Sequence, residues 1–424
     1  MQHYPWHRTP AHWSAHLLLG LILPGGISAI SAEARAARPE TSVPSLNEKL
    51  AGALYGGAIG EAMGAPVEGW PPAKIAGRFK PVAIDDFLPP THSNDPATGK
   101  GNGRITDDTL MVEALIRAYG NARDHLDAHG FQRFLLPEVA QTRVWVPERR
   151  QEMPILERLF WPEKYPWIRL AINNCEPRNA GMGNMVNCGV AMYAWPAGAV
   201  NLGDPAAAYQ EAVAYGLAHN ESYALEAGAV MAACAAVALM RDASIDQILQ
   251  TARAFARDGT ARAIHAALDS VRLDDDLEQF IQRTRLAVTP YDQRPSHTSD
   301  DTLPGSAAVS AFGRPSRLAS IEELPVALAA LGYGRADFLK TLRAAVFYGR
   351  DCDSIAGMAA TLWGAVYGIH RIPERLRVSS DQANRRNFGE LAAHFEKTIH
   401  DIFARDAKRW EARRRELSPT GKTP

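Results

Sequence analysis

The sequence predicts an all-α fold. Apolar residues recur at helical spacing in segment after segment, beginning with Leu50, Leu54, Ala58, Ile59, Ala62 and Met63. Alanine-rich runs such as Ala224–Leu239 favour helix further. No stretch shows the sustained alternation of a half-buried strand. The chain has 424 residues, a net charge of −1 and 46% hydrophobic residues. That is enough material for a large core, and the charge excludes a broad nucleic-acid face and hence a nucleic-acid duplex as partner.

Taken in order, the first segment stands apart. Arg8 and several histidines precede the apolar run Leu17–Leu23, and Ala32-Glu33-Ala34 and Ala34-Arg35-Ala36 suit a signal peptidase. Residues 1–36 therefore read as a secretory signal, and the chain as secreted or periplasmic. A mis-called start codon is the alternative and would leave it cytoplasmic. The run is too short to span a bilayer comfortably, and no other segment is apolar and long enough, so no stable membrane span is expected after signal removal. Residues 37–46 read as a linker.

A glycine-rich helix follows from Leu46, with Glu61 inside it and Pro66 expected to end it, leaving Glu68 just beyond. Residues 71–104 read as a long loop. A helix then starts at Thr106-Asp107-Asp108-Thr109. Residues 130–173, rich in Trp and Pro, resolve into no single pattern. Further helices are expected over 205–218, 222–241, 244–257, 260–271, 274–287, 305–312, 321–332, 335–347 and 353–368. No linker divides them, so residues 47–372 form one domain, and the charged residues 373–424 a surface helix and tail. The loop 291–304 carries Ser299-Asp300-Asp301-Thr302, which Pro304 and Gly305 interrupt; it reads as solvated. Cys175, Cys188, Cys234 and Cys352 lack zinc spacing, and a Cys175–Cys188 bridge is one possibility.

The chemistry concentrates at two helix starts. Asp351, Asp353 and Ser354 stand just before a long apolar run, and Thr106, Asp107 and Asp108 repeat the arrangement. Asp and Ser are ordinary first-turn residues that cap free N–H groups. Carboxylates and hydroxyls so close to buried segments are also the oxygen donors of a hard divalent cation. With Glu68 they make a set able to hold one or two such ions, fix vicinal hydroxyls of a sugar and activate water. No nucleophile elbow is present.

In order and placement, Gly60–Glu68, Ile105–Thr109 and Gly349–Ala356 resemble the motifs of the ADP-ribosylglycohydrolase family, over roughly residues 47–370. The resemblance implies a large, compact, orthogonal all-α bundle. It implies a binuclear magnesium site, with manganese as the alternative, held by Thr106, Asp107, Asp108, Asp351, Asp353 and Ser354. Glu68 matches a glutamate acting as acid or base, with Asp107 and Asp353 as the further catalytic carboxylates. Gly181, Gly183 and Asn184 match a loop that meets the diphosphate or ribose, and His219 a pocket-lining histidine. Arg350 replaces a small residue and either reaches a phosphate or pairs outward. Glu61 replaces the family's usual Asp, and Val186-Asn187 the usual Met-Arg. The implied activity is hydrolysis at C1 of a ribose, removing ADP-ribose from a protein or small-molecule acceptor. A nucleoside-type ribosyl hydrolase, a non-catalytic ADP-ribose or nucleotide binder, and a two-metal phosphohydrolase are the competing readings.

Overall fold

The computed structural model describes residues 43–79, 85–91, 100–146, 149–291 and 320–417. The helices follow one another as α1 (Leu46–Gly64), α2 (Pro72–Phe79), α3 (Asp107–Ala122), α4 (Trp161–Trp167), α5 (Gly189–Tyr193), α6 (Trp195–Val200), α7 (Pro205–Gly216), α8 (Tyr223–Ala238), α9 (Ile245–Phe255), α10 (Asp258–Ser270), α11 (Leu277–Val288), α12 (Ser320–Gly334), α13 (Phe338–Tyr348), α14 (Cys352–Tyr367), α15 (Glu374–Asn384) and α16 (Phe388–Leu417), with shorter helical turns between them. The all-α expectation holds, and most helices of the second half fall where the periodicity puts them. The signal-like segment, the loop around Asp300 and the helix expected over 305–312 lie outside the described residues. No described helix is long and apolar enough to cross a membrane.

Local sequence starts several helices. Ser45 and Glu48 form a capping box on α1, as do Ser244 with Gln247 on α9 and Asp276 with Gln279 on α11. Three details differ from the sequence reading. The stretch taken as a loop from residue 71 contains α2, anchored by the buried Ile75. The unresolved Trp- and Pro-rich stretch carries an antiparallel pair, β1 (Arg143–Val146) and β2 (Gln151–Pro154), with Arg143 opposite Pro154. Strands of four residues are too short to announce a period, and the β2 side chains are exposed or half-buried. The charged C-terminal segment is two helices, and Leu376, Phe388, Phe395, Ile399 and Ile402 seat them on the core. The four cysteines are free thiols, so Cys175 and Cys188 are not bridged.

The spine is the antiparallel pair α1 and α14. Gly52, Gly56, Gly60 and Gly64, four apart, share one face of α1. A Cβ on Gly56 would lie 2.2 Å from the Ala360 carbonyl oxygen, and one on Gly60 2.3 Å from that of Ala356. Glycines that would weaken an isolated helix are thus what lets two backbones touch. Lys49 fixes the far end of the pair. Fully buried, its Nζ donates to the carbonyls of Ala238, Met240, Ala365 and Val366 at 2.9–3.2 Å. One ammonium thereby satisfies the C-terminal ends of both α8 and α14.

His125 ties α16 to the body. Its Nδ1 lies 2.6 Å from Glu211 Oε2, and its Nε2 2.8 Å from Asp406 Oδ2 on α16. The hydrogen bond to Glu211, helped by Asp406, pushes the imidazole up to about 9. The folded value exceeds the usual 6.5, so this stabilisation is complete below pH 6.5 and is lost as pH rises through about 9. After discounting for partial exposure, it is worth about 1–2 kcal/mol. Urea unfolding at pH 6 and pH 9.5 is expected to show that loss in the parent protein and not in His125→Gln; equal pH dependence in both refutes the role.

Candidate functional site

The antiparallel pairing of α1 and α14 sets the end of one beside the start of the other. A Cβ on Gly64 would lie 2.4 Å from Asp353 Cα. The start of α3 is drawn to the same place by Glu61, a fully buried residue of α1. Glu61 Oε1 accepts from the Thr106 N–H and hydroxyl, both at 2.7 Å. Its Oε2 accepts from the Thr109 N–H at 3.3 Å and hydroxyl at 2.5 Å. Thr106 occupies the N-cap position without a side-chain capping bond. A glutamate from another helix therefore does the capping, and this fixes where Asp107 and Asp108 point. Asn384 of α15 holds the approach, accepting from Ile105 N at 2.9 Å and donating to the Gly103 carbonyl at 2.8 Å.

Glu68 is joined to the second helix start by a backbone clasp. Gly69 N donates to the Arg350 carbonyl at 2.6 Å, and Arg350 N to that of Trp70 at 2.9 Å. The clasp needs Gly349 at φ +77°, with its Cα so close that a Cβ would sit 2.3 Å from Trp70 O. The capping expectation for Asp351 fails. It stands at the N-cap of α14 with no side-chain capping bond. Its Oδ1 instead accepts from Ser354 Oγ at 3.3 Å, and Cys188 Sγ lies 3.3 Å from that same hydroxyl oxygen.

Two acidic groups result. Glu61, Asp107 and Asp108 each offer an oxygen within 4.8 Å of the others, and so do Glu68, Asp351 and Asp353. Asp107, Asp108, Asp351, Asp353, Ser354 and Glu68 all line one cavity of about 310 Å³. Burial, then Glu163, Glu61 and Glu68, push the Asp107 carboxyl well above the usual range. Burial and the neighbouring carboxylates do the same to Asp108 and Asp353. Lys100 answers part of this charge by donating to Glu68 Oε2. Burial pulls its ammonium down, but Glu68, Asp353 and Asp107 together hold it above the usual lysine range.

The residues fit a hard divalent cation. Asp108 Oδ1 and Asp353 Oδ1 are buried with no hydrogen-bond partner among the described residues. Such oxygens are costly unless something positive meets them. The donor set is carboxylate and hydroxyl oxygen, the preference of a hard ion.

Other expected residues sit elsewhere. Thr106 is buried behind the cavity, its hydroxyl given to Glu61. Gly181 packs against the turn at 217–220, where a Cβ would lie 2.4 Å from Asn220 O. Gly183, at φ +83°, faces the Tyr165 hydroxyl. Asn184 spends its Nδ2 on the carbonyls of Pro162 and His219, at 2.8 and 2.7 Å. His219 is fully buried, with Nδ1 2.7 Å from the Tyr193 hydroxyl and Nε2 4.0 Å from Glu163. Burial lowers its ring to about 3, so it is neutral. Arg350, at φ +61°, pairs with Glu322 at 3.6 Å rather than turning outward. None of Thr106, Gly181, Gly183, Asn184, His219 and Arg350 is among the cavity-lining residues.

The same loop does reach the cavity slightly later, through Met185, Asn187 and Cys188. The cavity is also lined by Phe160, Trp161, Pro162 and Glu163, which the sequence reading missed. Their signal was the concentration of Trp and Pro between residues 130 and 173. Glu163, in the first turn of α4, is 3% exposed.

Comparisons with known proteins bear on the family and the fold. The family model described as ADP-ribosylglycohydrolase matches residues 42–410. The chain is 25% identical over 347 residues to the uncharacterized protein YegU of Escherichia coli (strain K12), covering 81% of this chain and 95% of that one. A solved structure described as an ADP-ribosylglycohydrolase-related protein complex superposes with a TM-score of 0.53 at 20% identity, over 84% of this chain and 99% of that one, a likeness of fold. The match over nearly the whole described chain carries the assignment: this chain belongs to the ADP-ribosylglycohydrolase family and is a hydrolase of that type.

Proposed function

We propose that this chain is a magnesium-dependent hydrolase that cleaves the bond at C1 of a ribose and releases ADP-ribose from a protein or small-molecule acceptor. The observation that carries the reading is the meeting of two acidic helix starts on one cavity, where Asp108 Oδ1 and Asp353 Oδ1 are buried with no hydrogen-bond partner among the described residues. Asp107, Asp108, Asp351, Asp353 and Ser354 would hold the cations, two per chain, with manganese as a substitute. Thr106, expected as a further ligand, does not line the cavity and would act through its hydroxyl on Glu61, holding the turn that presents Asp107 and Asp108. Bound there, a divalent cation supplies positive charge for the vicinal ribose hydroxyls and lowers the cost of the buried carboxylates.

The chain's own groups do the rest. Carboxylates around C1 stabilise the oxocarbenium-like charge that develops as the aglycone leaves. Glu68, at the cavity wall, takes a proton from the attacking water and returns it to the leaving group. Phe160 and Trp161 offer an aromatic wall beside the acids. One observation favours a smaller ribosyl substrate, such as a nucleoside: the Asn184 amide is spent inside the protein.

The test is incubation with an ADP-ribosylated peptide and with nucleosides, with magnesium or with chelator, read by mass spectrometry. Free ADP-ribose from the peptide, lost on chelation, is the expected result. Free ribose from nucleosides alone supports the smaller substrate. No product from folded protein overturns the hydrolytic reading.

A further inference from the structure

We propose that Lys100 is a built-in counter-ion at the Glu68 end of the acidic site and competes with a divalent cation for that end, so that the two halves of the site load unequally. This rests on the cation-binding reading above.

The two acidic groups differ in what already meets them. In the half formed by Glu61, Asp107 and Asp108, Glu61 is held by Thr106 and Thr109, while Asp108 Oδ1 has no hydrogen-bond partner among the described residues. No ammonium donates to this half among the described residues. In the half formed by Glu68, Asp351 and Asp353, Nζ of Lys100 donates to Glu68 Oε2, with the lysine side chain only 14% exposed. The three carboxylates offer oxygens within 4.8 Å of one another, so an ammonium on Glu68 stands at the edge of a place where a cation would bind.

The lysine has defined neighbours. Its Nζ lies 5.3 Å from the Phe160 ring centroid. The backbone directly after it is pinned, with Asn102 N donating to the Leu88 carbonyl at 2.7 Å. Gly101, at φ +99°, packs so closely on Pro90 that a Cβ would lie 2.5 Å from its nitrogen. Like charges at such range repel strongly where little water intervenes. A divalent ion held by Asp351 and Asp353 brings its charge against the ammonium on Glu68 and must drive it from the edge of the site. The Asp107–Asp108 half requires no such displacement and fills first.

The experiment is calorimetric titration of metal-free protein with Mn²⁺, comparing the parent chain with Lys100→Met, Lys100→Gln and Lys100→Arg, each checked for fold by circular dichroism. The parent is expected to show one tighter and one weaker binding event. In Lys100→Met and Lys100→Gln the weaker event is expected to tighten by about tenfold or more, with the tighter one little changed. Lys100→Arg, which keeps the charge, is expected to behave like the parent. Unchanged affinities in both neutral variants, or weaker binding in them, overturn the competition and make Lys100 a prop for Glu68. No Mn²⁺ binding by any of the proteins overturns the cation-binding reading itself, and the competition with it.

Discussion

Asp353→Ala is expected to lower kcat/KM by at least about three orders of magnitude while leaving the cation-free protein as stable as the parent, or more so. The opposed signs follow from one placement. Asp353 is 4% exposed in the first turn of α14, beside Asp351 and Glu68, and its Oδ1 has no hydrogen-bond partner among the described residues. Burial and those carboxylates hold its carboxyl well above the usual range. A group raised in this way gives stability in full below its unfolded value and loses it as pH rises through the folded one. At neutral pH, above its unfolded value, the carboxyl therefore costs stability when no cation is bound, and its removal relieves that cost. With a cation bound, the same carboxylate is a ligand, and its loss dismantles the site. Asp107→Ala is expected to follow, since it faces the same cavity. Product release by mass spectrometry and thermal melting with and without magnesium check both halves. Turnover retained in both variants would remove these carboxylates from the mechanism.

Gly60→Ala is expected to destabilise the protein by about 2–4 kcal/mol, although alanine is the better helix former. The added Cβ would lie 2.3 Å from Ala356 O, 2.6 Å from its carbonyl carbon and 2.8 Å from Gly357 N. These are backbone atoms and cannot rotate aside, so α1 and α14 must part. Gly77→Ala on α2 is the control, because nothing lies within 4 Å of its added Cβ. It is expected to melt at the parent temperature or slightly above. The Gly60 variant is also expected to bind Mn²⁺ more weakly at temperatures where it remains folded. The contact it opens aligns Glu61 and Glu68 with the first turn of α14. A Gly60 variant that melts like the parent would show that the helix contact tolerates separation.

Much of the candidate site was legible because the carboxylates that meet on the cavity are local in sequence. Asp107 and Asp108 are adjacent, Asp351 and Asp353 are two apart, and each pair opens a helix with a strong apolar period. Periodicity also located the spine helices, and the glycines of α1 announced a close approach without naming what approached. The residues that sequence placed poorly are those whose role depends on direction. Asn184 and His219 do not line the cavity: the Asn184 Nδ2 is spent on the carbonyls of Pro162 and His219, and the His219 Nδ1 on the Tyr193 hydroxyl. Arg350 follows a glycine with positive φ and itself takes φ +61°, which helps turn its guanidinium to Glu322. Phe160, Trp161 and Glu163 come from a stretch with no clear period, so no pattern assigned them a face.

Two acidic helix starts, the helical character of the chain and its family resemblance all follow from the order of residues. Helical spacing and adjacent charges are properties of neighbours along a chain. Tertiary structure alone decided which glutamate does what. Glu61 and Glu68 are seven residues apart and chemically alike. The register of α1 against α14, set where glycine backbones touch, buries Glu61 under α3 as its cap. The same register, with the clasp at Gly69 and Arg350, leaves Glu68 on the cavity wall beside Lys100. A one-residue slip in that contact would rotate Glu61 by about 100° and carry it off the start of α3.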